Sequence, residues 1–348
     1  MSKPLFILVI SGTDTIKHPG ISAAGATQDM LKYTAALDAE FIYHGKVKTL
    51  PELPVSPDGI VSPALISKAC LNLMHIPSII IDAGAHVKPQ CPYIQVRYQP
   101  AADISTGKAM TRHEVLELIL TGNELAEEFA DFDELIIAEC VVGGTTTALG
   151  LLTALGYDCL DMVSSSFPNG NHALKREIIE QGLSRRNEAK TGVKTDDGLS
   201  ALAAMGDPSQ ALIAGLVQGS KQEVTLAGGT QMLAIAALIK RLGKEAQFSI
   251  SPSPWVIKDQ SAKFFELHQL VCPEIEIKNL ELKACQSLEL EDKVKELSGL
   301  ELKDIFARYD EGHVKEGVGM GALLTRLISA AQCEYHPTSP TKGFQLRF

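Results

Sequence analysis

Short apolar runs alternate with longer amphipathic stretches along most of the chain. This is the pattern of parallel βα units, whose strands are covered on both faces and read as near-continuous apolar runs. Residues 5–10, 78–82, 134–138 and 223–227 read as such strands, with 248–250 and 255–257 as two shorter ones. Helices are predicted over 112–129, 147–155, 172–185, 231–242 and 319–331, where apolar positions recur at helical spacing. The helix at 147–155 is rich in Leu and Ala, and that at 231–242 is apolar almost all round. Both are therefore expected inside a sheet–helix layer. Residues 46–63 are rich in proline and read as a loop or boundary. Residues 280–302 shift towards Glu, Lys and Leu and read as exposed helix, and the tail from Pro337 reads as polar and extended.

Three times a strand or turn runs through glycines into a helix: Val141-Val142-Gly143-Gly144-Thr145-Thr146-Thr147, Leu226-Ala227-Gly228-Gly229-Thr230-Gln231 and Glu316-Gly317-Val318-Gly319-Met320-Gly321. In parallel α/β sheets such turns lie at the carboxyl ends of the strands, where ligands bind, and three of them can enclose one pocket. At 143–147 the glycines admit close backbone approach, the helix N-terminus favours an anion, and Thr145 and Thr146 add hydroxyls. No Gly-Lys-[Ser/Thr] follows, so this is not a Walker A loop, nor is it G-x-G-x-x-G. The same turn also reads as a plain βα turn capped by threonine, as does Gly228-Gly229-Thr230.

Glu139 closes an apolar strand just before the first turn, and Glu316 stands between Lys315 and Gly317 at the third. Two carboxylates at strand ends facing one pocket would form an acid/base pair. The plainer alternative is two carboxylates neutralised by Lys315 or Lys175. His313 and Glu316 have H-x-x-E spacing, but no third ligand matches it, so no metal site is expected.

Composition narrows the function. The 348 residues are 45% hydrophobic and 21% charged, which excludes disorder as the main theme and allows one large domain or two. With 32 Lys+Arg against 42 Asp+Glu, a net charge of −10 and one tryptophan, Trp255, the chain lacks the basic surface that nucleic acid requires. A small phosphate-bearing ligand needs only local positive potential. The longest apolar run, eight residues at 232–239, is too short to span a membrane. Residues 5–10 lack the flanks and cleavage site of a signal peptide. Seven dispersed cysteines without a C-x-x-C pair read as reduced thiols, and the expected location is cytoplasmic.

Taken together, the motifs resemble the nicotinate-nucleotide–dimethylbenzimidazole phosphoribosyltransferases, in particular their divergent archaeal and cyanobacterial branch. The family's Glu-Met-Gly-Ile-Gly-Asn-Thr-Thr segment is similar to Glu139-Cys140-Val141-Val142-Gly143-Gly144-Thr145-Thr146. The Glu, the second glycine and both threonines are kept, while Val141 and Gly144 replace a glycine and an asparagine. Its late Gly-Glu-Gly-Thr-Gly-Ala segment resembles Lys315-Glu316-Gly317-Val318-Gly319-Met320. Ala109-Met110-Thr111, His172-Ala173-Leu174-Lys175 and the 224–234 segment with Gly228-Gly229 agree in order, so the resemblance spans residues 75 to 330. No base-pocket segment like that of the bacterial enzymes is recognisable before residue 75.

The resemblance implies an α/β fold with a doubly wound, mainly parallel, Rossmann-like sheet. It also implies a single large domain over 1–348, with a small helical subdomain drawn from both terminal regions, and a homodimer. It implies transfer of the phosphoribosyl group of nicotinate mononucleotide to an aromatic nitrogen base for the lower nucleotide loop of cobalamin, with no cofactor. The pyridinium departs neutral, so no strong acid is needed, whereas the azole must lose its N–H proton and so needs a carboxylate base. By this resemblance Glu316 is the base and Glu139 supports it. Gly143, Gly144, Thr145, Thr146 and Lys175 hold the phosphate, and Gly228, Gly229, Gly317 and Gly319 line the nucleotide pocket. Dimethylbenzimidazole, adenine, another benzimidazole and a phenolic all remain open as acceptor. The competing readings are a non-catalytic protein that binds nicotinate mononucleotide and, third, a nicotinamide-dependent oxidoreductase. Against the last stands Ser11-Gly12-Thr13, where a dinucleotide fingerprint would be needed.

Overall fold

Among the described residues seven strands form one sheet: β1 (Pro4–Ile10), β2 (Ser78–Ala83), β3 (Ile94–Arg97), β4 (Glu134–Cys140), β5 (Glu223–Ala227), β6 (Ser249–Ser251) and β7 (Glu276–Ile277). The computed structural model describes residues 3–53, 55–188, 197–243, 246–280 and 288–334. Every strand pair is parallel, in the order β3-β2-β1-β4-β5-β6-β7. The chain builds outward from β1 to β3, then returns to the other side of β1 and builds outward again. The direction reverses between β1 and β4, and a crevice opens there at the carboxyl ends.

Strand alternation divides the core. Leu5, Ile7 and Val9 face one layer, Phe6, Leu8 and Ile10 the other, and all six side chains are fully buried. Each contributes about 1.5–3 kcal/mol of burial. On the first face pack α3 (Arg112–Glu128), α4 (Gly144–Ala154), α5 (His172–Glu188), α6 (Gly198–Met205), α7 (Pro208–Gly219), α8 (Thr230–Arg241) and α10 (Phe264–Val271). On the second pack α1 (Thr34–His44), α2 (Ala64–Leu73), α11 (Leu288–Ser298), α12 (Leu302–Asp310) and α13 (Met320–Glu334). The short α9 (Pro254–Lys258) bridges them, with Val256 in one core and Trp255 in the other. The sheet is doubly wound and parallel, as the resemblance implied.

Three expectations change. Residues 255–257 belong to α9 and not to a strand, because Ser253 caps the helix by accepting from Val256 N at 3.2 Å and Pro254 occupies its first turn. Strands β3 and β7 add to those expected; they are short edge strands, four and two residues long, with little apolar signal. Nor is α11 simply exposed helix: Leu290 and Val294 are fully buried and make it amphipathic. The polar tail from Pro337 lies outside the described residues, and so do 281–287. No helix among the described residues is long and apolar enough to cross a membrane.

Candidate active site

At the β1–β4 switch point a cavity holds about 870 Å³ of space between atoms, part of it open to solvent. Its wall carries Glu139, Gly143, Gly144, Thr145, Glu316 and Gly317. These residues come from two glycine turns some 170 positions apart in sequence, brought together by the sheet. Behind the wall lie Thr146, Lys175, Gly228, Gly229 and Gly319, which the structure does not bring to the cavity surface. A Cβ at Gly229 would meet Val256 Cγ1 at 3.0 Å, and one at Gly319 would meet Phe6 Cε2 at 2.8 Å, so both glycines are packing positions.

Glu139 projects from the end of β4 opposite Val9. Its carboxylate accepts from Gln231 Nε2 at 3.1 Å. Burial pushes Glu139 up to about 8, and the neighbouring charges of Asp207 and Glu316 add to this. Asp207 itself is occupied: it accepts from Thr147 Oγ1 at 2.6 Å and from Ser209 N at 3.0 Å while capping α7. After β4 the chain turns at Gly143, whose φ of 81° lies in the left-handed region, and α4 starts without a side-chain cap. An uncapped helix N-terminus on a cavity wall suits an anion.

Glu316 is held in a strained turn. Val314 and Val318 on either side have φ of 41° and 52°, a region β-branched residues avoid. The half-buried carboxylate accepts from three backbone groups: Ser253 N at 2.5 Å, Gly317 N at 2.9 Å and Gly321 N at 3.3 Å. Gly321 permits this approach, since a Cβ there would lie 2.2 Å from Ser253 N and 2.7 Å from Glu316 Oε2. Burial pushes Glu316 up to about 7, against the pull of those backbone hydrogen bonds.

Neither lysine neutralises these carboxylates. Lys315 Nζ pairs with Asp259 Oδ2 at 2.8 Å and donates to Phe167 O at 3.2 Å. Lys175 is fully buried and donates to Ser164 O at 2.6 Å; burial lowers it to about 7, and Lys315 adds to the effect. His313 Nδ1 turns to Asp58 at 3.4 Å, which leaves the H-x-x-E pair apart.

Sequence reasoning missed several wall residues: Asp38 of α1, Ser62, the Ser164-Ser165-Ser166 run and Gln231. One signal for Asp38 was present, an acid amid Ala35, Ala36, Leu37 and Ala39 in a helix that buries nearly all its residues. The serine run carried none. It is fixed by distant contacts such as Ala23 N to Ser166 Oγ at 2.8 Å.

Residues 69–250 match a family model described as Phosphoribosyltransferase. A UPF0284 protein of Pyrococcus furiosus is 38% identical over 331 residues, 94% of each chain. A UPF0284 protein of Sulfurisphaera tokodaii is 37% identical over 324 residues, 92% of this chain and 86% of that one. Among solved structures, CobT from Thermus thermophilus superposes with a TM-score of 0.61 at 18% identity, covering 95% of this chain and 83% of that chain. The nicotinate-nucleotide–dimethylbenzimidazole phosphoribosyltransferase of the same organism gives 0.54 at 16% identity, covering 94% and 83%. At these identities the structural likeness is one of fold.

Proposed function

Since the chain belongs to the phosphoribosyltransferase family, we propose that it moves the phosphoribosyl group of nicotinate mononucleotide onto a benzimidazole-type base or adenine. The products are nicotinate and an α-ribotide for the lower nucleotide loop of cobalamin. The observation that carries this reading is the meeting of Glu139 and Glu316 on one cavity wall with the uncapped N-terminus of α4.

The ribotide's 5′-phosphate sits at that N-terminus, among Gly143, Gly144 and Thr145, and its binding energy holds the ribose C1′ in place. Lys175 acts one step removed, by fixing the Ser164 carbonyl and with it the serine run on the wall. The bond from C1′ to the pyridinium nitrogen breaks, and its electron pair stays on that nitrogen, which leaves as the neutral pyridine ring of nicotinate. An azole nitrogen forms the new bond to C1′ from the opposite face, so the configuration inverts. The azole N–H proton passes to the Glu316 carboxylate, which burial has tuned close to neutral pH. The Glu139 carboxylate supports the positive charge that develops on the ribose. The active form is a homodimer.

Replacing Glu316 by Gln removes the proton acceptor but keeps the shape. The expected outcome is a fall in kcat of about a hundredfold or more, with nicotinate mononucleotide affinity within a few-fold. Nicotinate release measured by chromatography checks it, and undiminished turnover in this variant would sink the assignment.

A further inference from the structure

Two buried acids stand two residues apart on α1, and they are treated differently. The Glu40 carboxylate is fully engaged, accepting from the backbone N–H groups of Lys48, Thr49 and Gln90 at 2.5, 2.9 and 2.7 Å and from the Thr49 hydroxyl. Burial pushes Glu40 up, but these bonds outweigh it and leave the group below its ordinary range. Asp38 is 2% exposed, and its Oδ2 accepts from the Cys140 thiol at 3.3 Å. Its Oδ1 has no hydrogen-bond partner among the described residues. Burial pushes Asp38 up to about 7, while the neighbouring Ser62 and Cys140 side chains pull the other way.

This unpartnered oxygen belongs to a residue of the cavity wall. Asp38 lines it with Ile60, Ser62 and Pro63, and with Val314 and Val318 of the Glu316 turn. Asp38 and Glu316 also act on one region, because after burial their two charges both push the Tyr309 hydroxyl up. A buried carboxylate oxygen left unpaired is destabilising, and a cavity wall that carries one is shaped for a group that donates to it.

We propose, on the basis of the transferase reading above, that Asp38 selects the acceptor: the site takes an aromatic base bearing a hydrogen-bond donor, an exocyclic amine or a ring hydroxyl, that Oδ1 receives. The ring lies among Ile60, Pro63, Val314 and Val318, with its reacting nitrogen towards Glu316. A methyl group at the same place leaves the carboxylate unpaired, so a site built this way rejects the methylated analogue.

Matched bases test this: adenine against purine, and hydroxybenzimidazole against methylbenzimidazole. Each is titrated calorimetrically into the protein, and kcat/KM is measured in parallel from nicotinate release with nicotinate mononucleotide as donor. The donor-bearing member is expected to be favoured roughly tenfold to a hundredfold. In Asp38→Ala that ratio falls to about two or less. Should the alanine variant fail to fold, Asp38→Asn, which loses the charge, lowers the ratio several-fold. Selective binding without turnover by any base upholds Asp38 and removes the transferase reading. Turnover with equal or inverted preference in the wild-type protein overturns the role of Asp38 and leaves the transferase reading intact. Failure of every base both to bind and to react overturns both.

Discussion

At Glu316 three backbone N–H groups compete with burial over the ionisation of one carboxylate, and burial wins by enough to place it at about 7. A base acts only when deprotonated, and Glu139 supports the ribose only as a carboxylate, so kcat/KM should rise with pH through about 7 and level off above about 8. Glu139 shares the field, since Glu316 is one of the charges that raise it. Glu139→Gln removes the group that titrates at about 8, so the upper part of the rise should vanish and the inflection should settle at about 7. A pH–rate series on both proteins checks this; an unmoved inflection would mean that the ionisation of Glu139 does not enter the reaction. Glu139 and Glu316 were legible in the sequence because each abuts a glycine turn after a strand. Asp38 showed only as an acid among apolar neighbours, since the approach of α1 to the 60–63 segment and the Glu316 turn is what gives it a cavity to line.

Among the elements, α9 and α13 hold the Glu316 turn between them. Ser253 caps α9, gives its N–H to Glu316 and its hydroxyl to Lys315 O. The start of α13 supplies Gly321, and a methyl group there would push into Ser253 N and Glu316 Oε2 together. Gly321→Ala should therefore lower kcat/KM by about tenfold or more and cost roughly 1–3 kcal/mol of stability, read by steady-state kinetics and denaturant unfolding. Wild-type kinetics in that variant would show that the close approach is not needed. Trp255-Val256-Ile257 reads as a strand when only its aromatic and β-branched residues are weighed. The Ser253-Pro254 start signal decides for helix, because cap and proline act on the backbone directly. The four longest strands announce themselves as apolar runs, or close to them, whereas β7 has only two residues and exists through its pairing with β6.

On the scale of the whole molecule, the double winding about β1 creates the crevice, and the site's chemistry weighs on the fold that builds it. Asp38, Glu139 and Glu316 all have folded pKa values, at about 7, 8 and 7, raised above the ordinary carboxylate range. At these three groups the folded protein therefore binds more protons than the unfolded chain between roughly pH 4 and 8. The stability from these groups is complete below the unfolded values and is lost as pH rises through the folded ones. The Tm should fall by several degrees from pH 5 to pH 8, and Glu139→Gln should flatten that slope; a Tm that rises over this window would contradict the assigned burial. The most direct test of the account remains the reaction. Purified protein is mixed with nicotinate mononucleotide and each base in turn, and the products are separated and weighed by mass spectrometry. The account predicts nicotinate and an α-ribotide in equal amounts, formed only when a base is present. Saturable binding of the nucleotide with no nicotinate released, for any base, would contradict it and leave a nucleotide-binding protein in its place.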